Sequence, residues 1–123
     1  MISGIVNLRN EGIVRLRLRG PGGIESDVDF IVDSGFTASL TLPMTMVTAL
    51  DLARDSASSA VLADGSIREF DVFVGELAWG GTWRKVMISA VGNESLLGMR
   101  VMAKHKLVID VVPGGSVEIL PLP

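Results

Sequence analysis

Residues Val14, Arg15, Leu16, Arg17, Leu18 and Arg19 alternate strictly between apolar and basic side chains, the period of a strand with one buried and one wet face. Gly20, Pro21, Gly22 and Gly23 then read as a turn, and Ile24 to Val32 as a strand returning beside the first, with Val28, Phe30 and Val32 on one face. The pair predicts a hairpin. Met44, Val47, Leu50 and Ala53 recur at helical spacing after Pro43, so a short helix is expected there, weakened by its threonines.

Val61, Leu62 and Ala63 lead into Asp64-Gly65, a dipeptide suited to a two-residue type I′ turn, and Ile67 to Leu77 leads away as the second arm of a long hairpin. A further turn at Gly80-Gly81 is framed by Trp79 and Trp83, and Val86 to Val91 follows as an apolar strand. Gly98 to Lys106 fits a short helix. Leu107 to Val112 reads as a strand, stopped by Pro113-Gly114-Gly115 before a last strand, Val117 to Leu120. Many short strands with one or two short helices predict a mainly β fold. So much strand in so short a chain calls for a closed or strongly curved sheet that hides its edges.

Composition narrows the class. A length of 123 residues suits one domain spanning residues 1–123, and 48% hydrophobic against 20% charged residues indicates a packed core. Net charge is -3 with isolated basic positions, which gives no footprint for nucleic acid. The absence of cysteine removes disulfides, thiolate nucleophiles and thiolate metal ligands together. No signal-peptide layout opens the chain, and the uncharged stretch from Ser34 to Leu50 falls short of the roughly 20 apolar residues that cross a bilayer. The expectation is a cytoplasmic protein with no membrane partner.

The chemistry concentrates in Phe30-Ile31-Val32-Asp33-Ser34-Gly35-Phe36, an apolar strand ending in a carboxylate, a hydroxyl and a glycine. A carboxylate at the end of a buried strand is held in place; Ser34 can fix the turn by hydrogen bonding, and Gly35 admits close approach of another backbone. Asp-Ser/Thr-Gly alone is a weak signal, arising by chance in on the order of one chain in twenty of this length. In context, Asp33-Ser34-Gly35 resembles the active-site signature of retropepsin-like aspartic peptidases, and the run from Asp33 to Pro43 is similar to that of their bacterial single-domain branch. Three more features fall in the family's order: the Asp64-Gly65 hairpin where the flap belongs, Leu96-Leu97-Gly98 where an apolar-apolar-Gly motif belongs, and a short helix after it.

The resemblance implies a closed retropepsin-like (acid protease) β-barrel with a flap hairpin, and a homodimeric aspartic-type endopeptidase acting on peptide or protein substrates without a cofactor or metal. Asp33 would be the catalytic carboxylate, with Ser34, Gly35, Phe36 and Thr37 as the active-site loop. Ala63, Asp64, Gly65 and Ser66 would form the flap over the substrate, and Leu96, Leu97 and Gly98 would pack behind the loop as its support. Two carboxylates sharing one proton are needed to activate water, and a single Asp-Ser/Thr-Gly per chain implies one from each of two subunits about a two-fold axis. The apolar segments Met1-Ile2 and Ile119 to Pro123 are then candidates for an intersubunit sheet. Phe36 stands where many retropepsins have alanine, and no tyrosine is available for a pepsin-like flap. The alternative reading is a catalytically weak or inactive dimer of the same fold that binds peptides or proteins.

Other constellations point to structure. His105, the only histidine, lies in a basic stretch near a predicted helix end and is expected to be solvated. Asp27, Asp29 and Asp33 share a strand face by parity, but Ile31 interrupts them, and a polar outer face accounts for them better than a cation site. No Gly-x-Ser-x-Gly elbow or phosphate-cradling glycine loop is present. Trp79 and Trp83 are expected to pack over the sheet or in an interface.

Overall fold

The computed structural model describes residues 1–123 and is mainly β, with 54% of residues in strands and 5% in helix. Strand β2 (Gly12–Arg19) buries Val14, Leu16 and Leu18 and turns Arg15 and Arg17 outward. It pairs antiparallel with β3 (Glu25–Val32), which buries Val28 and Phe30 on the same side. The register sets Arg15 opposite Asp29 and Arg17 opposite Asp27, so the outer face carries cross-strand ion pairs at 2.7 and 3.1 Å. That arrangement accounts for the two aspartates as a polar outer face.

A strand not foreseen from the pattern, β1 (Ile2–Val6), pairs with β2 on one side. Its Gly4 obscures the alternation, and the residue is needed small: a Cβ there would collide with the Ile13 carbonyl oxygen. After β3 come β4 (Leu40–Thr41) and the single helix α1 (Met44–Ala49). The helix stops short of Ala53 because Asp51 takes a positive φ of 51° and Ala53 already pairs with Val74 in the next hairpin.

That hairpin joins β5 (Ala53–Val61) to β6 (Ile67–Trp79). Its turn is not the two-residue type I′ expected. Gly65 alone has positive φ, at 84°, and the Leu62 N–H bonds to the Ser66 carbonyl, leaving a three-residue loop with glycine in the left-handed position. The two-residue turn with both φ positive falls instead at Gly80-Gly81 (59° and 88°), where β6 passes into β7 (Thr82–Ser89). Strand β8 (Leu96–Leu97) follows.

Residues 98–106 do not form the expected second helix. Bonds from the Ala103 N–H to Arg100 O and the His105 N–H to Met102 O make successive tight turns. Lys104 then adopts a φ of 65° and starts β9 (His105–Ile109). The chain ends in β10 (Ser116–Pro121), which pairs with β9 on one side and β1 on the other. The segments Met1-Ile2 and Ile119 to Pro123, candidates for an intersubunit sheet, thus pair with each other inside one chain, Ile2 opposite Ile119.

All ten strands belong to one sheet in the order β5-β6-β7-β4-β8-β3-β2-β1-β10-β9, and an extra pairing of β6 with β2 closes six of them into a ring. The closure uses Leu18 opposite Leu77 and Arg19 opposite Glu76. The Arg19 guanidinium reaches Glu76 at 3.1 Å and lies 3.9 Å over the Trp83 ring, so Trp83 is half covered while Trp79 is buried in the core. Twenty-one buried hydrophobic residues form one cluster, drawn from every strand of the ring and from α1. No helix is long and apolar enough to cross a membrane.

Candidate active site

Asp33 stands one residue past the end of β3, where the core-facing strand gives way to a tight turn. Its N–H donates to the Leu97 carbonyl at 3.0 Å, its carbonyl accepts from the Phe36 N–H at 3.2 Å, and its Oδ1 accepts from the Gly35 N–H at 2.9 Å. Backbone and carboxylate are both tethered, with Asp33 half-buried and Ser34, Gly35 and Thr37 exposed. The Ser34 hydroxyl makes no hydrogen bond within the chain.

The tether comes from the threading of the sheet. β3 and β4 are consecutive in the chain, yet β8 lies between them, parallel to β3 (Ile31 opposite Leu96, Val32 opposite Leu97) and antiparallel to β4 (Leu40 opposite Leu97). The Asp33–Ser39 loop must therefore pass over the end of β8, which places Leu97 and Gly98 directly behind it. The Gly98 N–H bonds to Ser39 O and the Met99 N–H to Phe36 O, each at 2.8 Å. A Cβ on Gly98 would overlap the Ala38 carbonyl oxygen and come within 2.7 Å of the Phe36 ring, so only glycine fits at this crossing. Leu97 is fully buried and Leu96 partly so.

Thr41 completes the support and was missed in the sequence. The residue is 2% exposed, and its hydroxyl donates to Glu94 O at 2.8 Å and accepts from the Leu96 N–H at 3.0 Å, fastening β8 to β4 where only two residues of strand are available. The signal was present as a threonine between Leu40 and Leu42, which are both buried.

The structure brings Asp33, Gly35, Phe36, Leu96, Leu97 and Gly98 together but does not join the hairpin tip to them. Ala63, Asp64, Gly65 and Ser66 are exposed at the end of the β5–β6 arm, with no hydrogen bond to the Asp33 loop. The tip is ordered by itself. Asp64 accepts from the Ser66 hydroxyl at 2.6 Å and the Ser66 N–H at 2.9 Å, and these two bonds hold its carboxyl below the usual carboxylate range. Val61 and Ile67 beside it are 75% and 69% exposed.

No concavity of the single chain is lined by Asp33. The largest, about 610 Å³, is an open trough on the outer face beside Ile5, Ile13 and the Arg15–Asp29 pair. Hydrogen bonding from Arg15 holds the Asp29 carboxyl below its ordinary value. No group of histidine and carboxylate side chains is arranged to hold a metal ion. His105 is not the solvated side chain expected. It stacks edge-on against Trp79 at 5.4 Å, with Nε2 3.4 Å from the Trp79 indole nitrogen and Nδ1 2.8 Å from Ala103 O. These contacts to Trp79 and the Ala103 carbonyl mark His105 as a packing residue. No protein-family model matches the chain, and no curated protein matches it significantly.

Proposed function

We propose that the chain is one subunit of a retropepsin-type aspartic endopeptidase, active as a homodimer in which Asp33 of each subunit helps to activate water. The observation that carries the reading is the threading of β8 between β3 and β4, which seats Leu96-Leu97-Gly98 behind the Asp33 loop. This is the place the resemblance assigns to the apolar-apolar-Gly motif. The ring of six strands and the projecting β5–β6 arm suit the same reading, as barrel and flap.

In such a dimer the two carboxylates sit close enough that both cannot ionise, so they hold one proton between them. The ionised member takes a proton from water as it attacks the scissile carbonyl, and the protonated member donates to the carbonyl oxygen. The resulting tetrahedral diol collapses when the leaving nitrogen is protonated. The Leu97 carbonyl and the Gly35 N–H hold Asp33 in position, so little reorganisation is needed. The exposed Ser34 hydroxyl is free to bond across the two-fold axis, and an extended peptide would lie as an added strand beneath the β5–β6 arm.

The test is turnover of a mixed peptide library from about pH 4 to 7, where a shared-proton pair is half ionised, for wild type and Asp33→Asn over a range of protein concentrations. Cleavage that rises more steeply than linearly with concentration and vanishes in Asp33→Asn is expected. Cleavage that survives in Asp33→Asn would refute the assignment.

A further inference from the structure

The strand order ends in two open edges, and the chain treats them differently. β9, at one end, is five residues long and carries exposed Lys106 with exposed Lys104 just before it, charges of the kind that keep a strand edge from pairing. β5, at the other end, runs nine residues with neither proline nor lysine, and from Ser56 to Val61 it carries no charge. Its one irregularity is confined to Arg54–Ser56, at the base of the arm. The Leu62 N–H bonds to Ser66 O, which puts the Leu62 backbone on the β6 side of the hairpin. Alternation then turns the N–H and carbonyl of Val61, Ser59 and Ala57 toward the open edge, where no strand of the chain meets them.

The surroundings of that edge define what fits it. The arm from Ala53 to Trp79 holds five carboxylates against two arginines, and so carries the whole of the chain's net charge of -3. Ser59 stands opposite Glu69 and Ala57 opposite Asp71, so both carboxylates share a face with the edge residues whose backbone is free. Asp71 is held by Arg54 at 3.2 Å, whereas Glu69 forms no ion pair within the chain. An open trough of about 360 Å³ lies here, lined by Ala57, Ser58, Ser59 and Glu69. A strand added at the edge would stand two strand spacings from β6, roughly 10 Å. A long basic side chain can span that distance to Glu69 only over small neighbours, and Ser59 and Ala57 are small.

We propose that β5 is the docking edge for an extended basic peptide, which adds as an antiparallel strand in the plane of the sheet and lays a Lys or Arg across Ser59 onto Glu69. Backbone bonds to Ala57, Ser59 and Val61 supply the affinity, and the charge of the arm selects basic partners over acidic ones. The residue facing Ser59 exchanges both its N–H and its carbonyl with it, and its side chain lies on the Glu69 face. The basic residues, and not those between them, therefore present their backbone to β5. The docking uses neither Asp33 nor a second subunit, so it stands apart from the peptidase reading.

Fluorescence anisotropy of a labelled peptide alternating lysine and threonine tests it, with Asp33→Asn as the protein so that the probe stays intact. Two derivatives of equal charge decide the geometry, one N-methylated on every lysine and the other on every threonine. The threonine-methylated peptide should bind like the parent. The lysine-methylated one should bind about tenfold more weakly or worse, since its methyls replace the donors facing β5. Glu69→Gln should raise the dissociation constant about threefold, the worth of an exposed ion pair, and high salt should act in the same direction. Ser59→Pro removes an edge N–H that no strand of the chain uses and should weaken binding as lysine methylation does; if that variant does not fold, the methylated peptides decide alone. No binding of the parent peptide, equal binding of the two methylated derivatives, or unchanged affinity in Glu69→Gln would overturn the proposal. So would a dimer of the chain that Ser59→Pro dissolves and the peptide does not displace, since a second copy would then hold the edge. Docking by a protein whose wild type cleaves nothing would sink the peptidase reading and leave this edge standing, and cleavage without docking would do the reverse.

Discussion

Replacing Gly98 with alanine adds one methyl group at the point where β8 passes behind the Asp33 loop. That methyl would overlap the Ala38 carbonyl oxygen and approach the Phe36 ring to 2.7 Å, and the Ala38 oxygen belongs to backbone that cannot rotate aside. Overpacking a core typically costs 1–3 kcal/mol, and a clash with backbone on one side and a packed ring on the other belongs at the upper end, about 3 kcal/mol. For a chain of this length each kcal/mol lowers the midpoint of thermal unfolding by roughly 4 °C, so Gly98→Ala should melt about 12 °C below wild type. The 2.8 Å bonds from Gly98 to Ser39 and from Met99 to Phe36 must lengthen as the loop is pushed outward, carrying Asp33 with it, so peptide cleavage should fall as well. Circular dichroism melts of Gly98→Ala and of Gly22→Ala, where a Cβ meets nothing within 4 Å, provide the comparison. If the two variants melt together near wild type, Gly98 is not held between β8 and the Asp33 loop and the account of the site's rigidity is wrong.

Thr41→Val keeps the side chain's shape but removes both hydrogen bonds of a buried hydroxyl, leaving the Leu96 N–H and Glu94 carbonyl unpaired; a loss of about 1–3 kcal/mol is expected in denaturant unfolding, with Thr41→Ser largely restoring it. Leu97→Ala empties a fully buried site between β3 and β4 and should cost about 2–5 kcal/mol by the same measurement. Asp29 has its folded-state pKa depressed by Arg15, so its contribution to stability is complete above the ordinary carboxylate pKa of about 3.9 and is lost as pH falls through the lower folded value. The melting difference between wild type and Asp29→Asn should be small, shrink in high salt and close in acid, and a difference unchanged down to about pH 2 would contradict the pairing. Asp33→Asn should leave the melt near that of wild type, since an asparagine oxygen can still accept from the Gly35 N–H, while abolishing cleavage.

Much of the fold was legible because alternation is a direct record of burial. Val14, Leu16 and Leu18 announce β2, and Val28 and Phe30 announce β3, since a pleated strand sends successive side chains to opposite faces. Where that record was interrupted, legibility failed. Gly4 breaks the pattern of β1, the serine- and alanine-rich β5 is exposed on both faces and carries no period, and the run after Gly98 resembles a helix until Lys104 turns left-handed. The Asp64-Gly65 turn was placed correctly but given the wrong type, because the bonds from Ser66 to the Asp64 carboxylate favour a longer loop.

The amino-acid sequence by itself determined the mainly β class, the position of Asp33 at the end of an apolar strand, and a polar outer face carrying Asp27 and Asp29, all consequences of local order. Only the tertiary structure decided that Leu96 and Leu97 insert between β3 and β4, that Thr41 fastens them there, that the outward arginines of β2 face the aspartates of β3, and that the first and last strands pair with each other. Those relations join residues well separated in the chain. They follow from strand register and from which strand edges remain open once the ring closes, properties of the assembled sheet that no local pattern encodes.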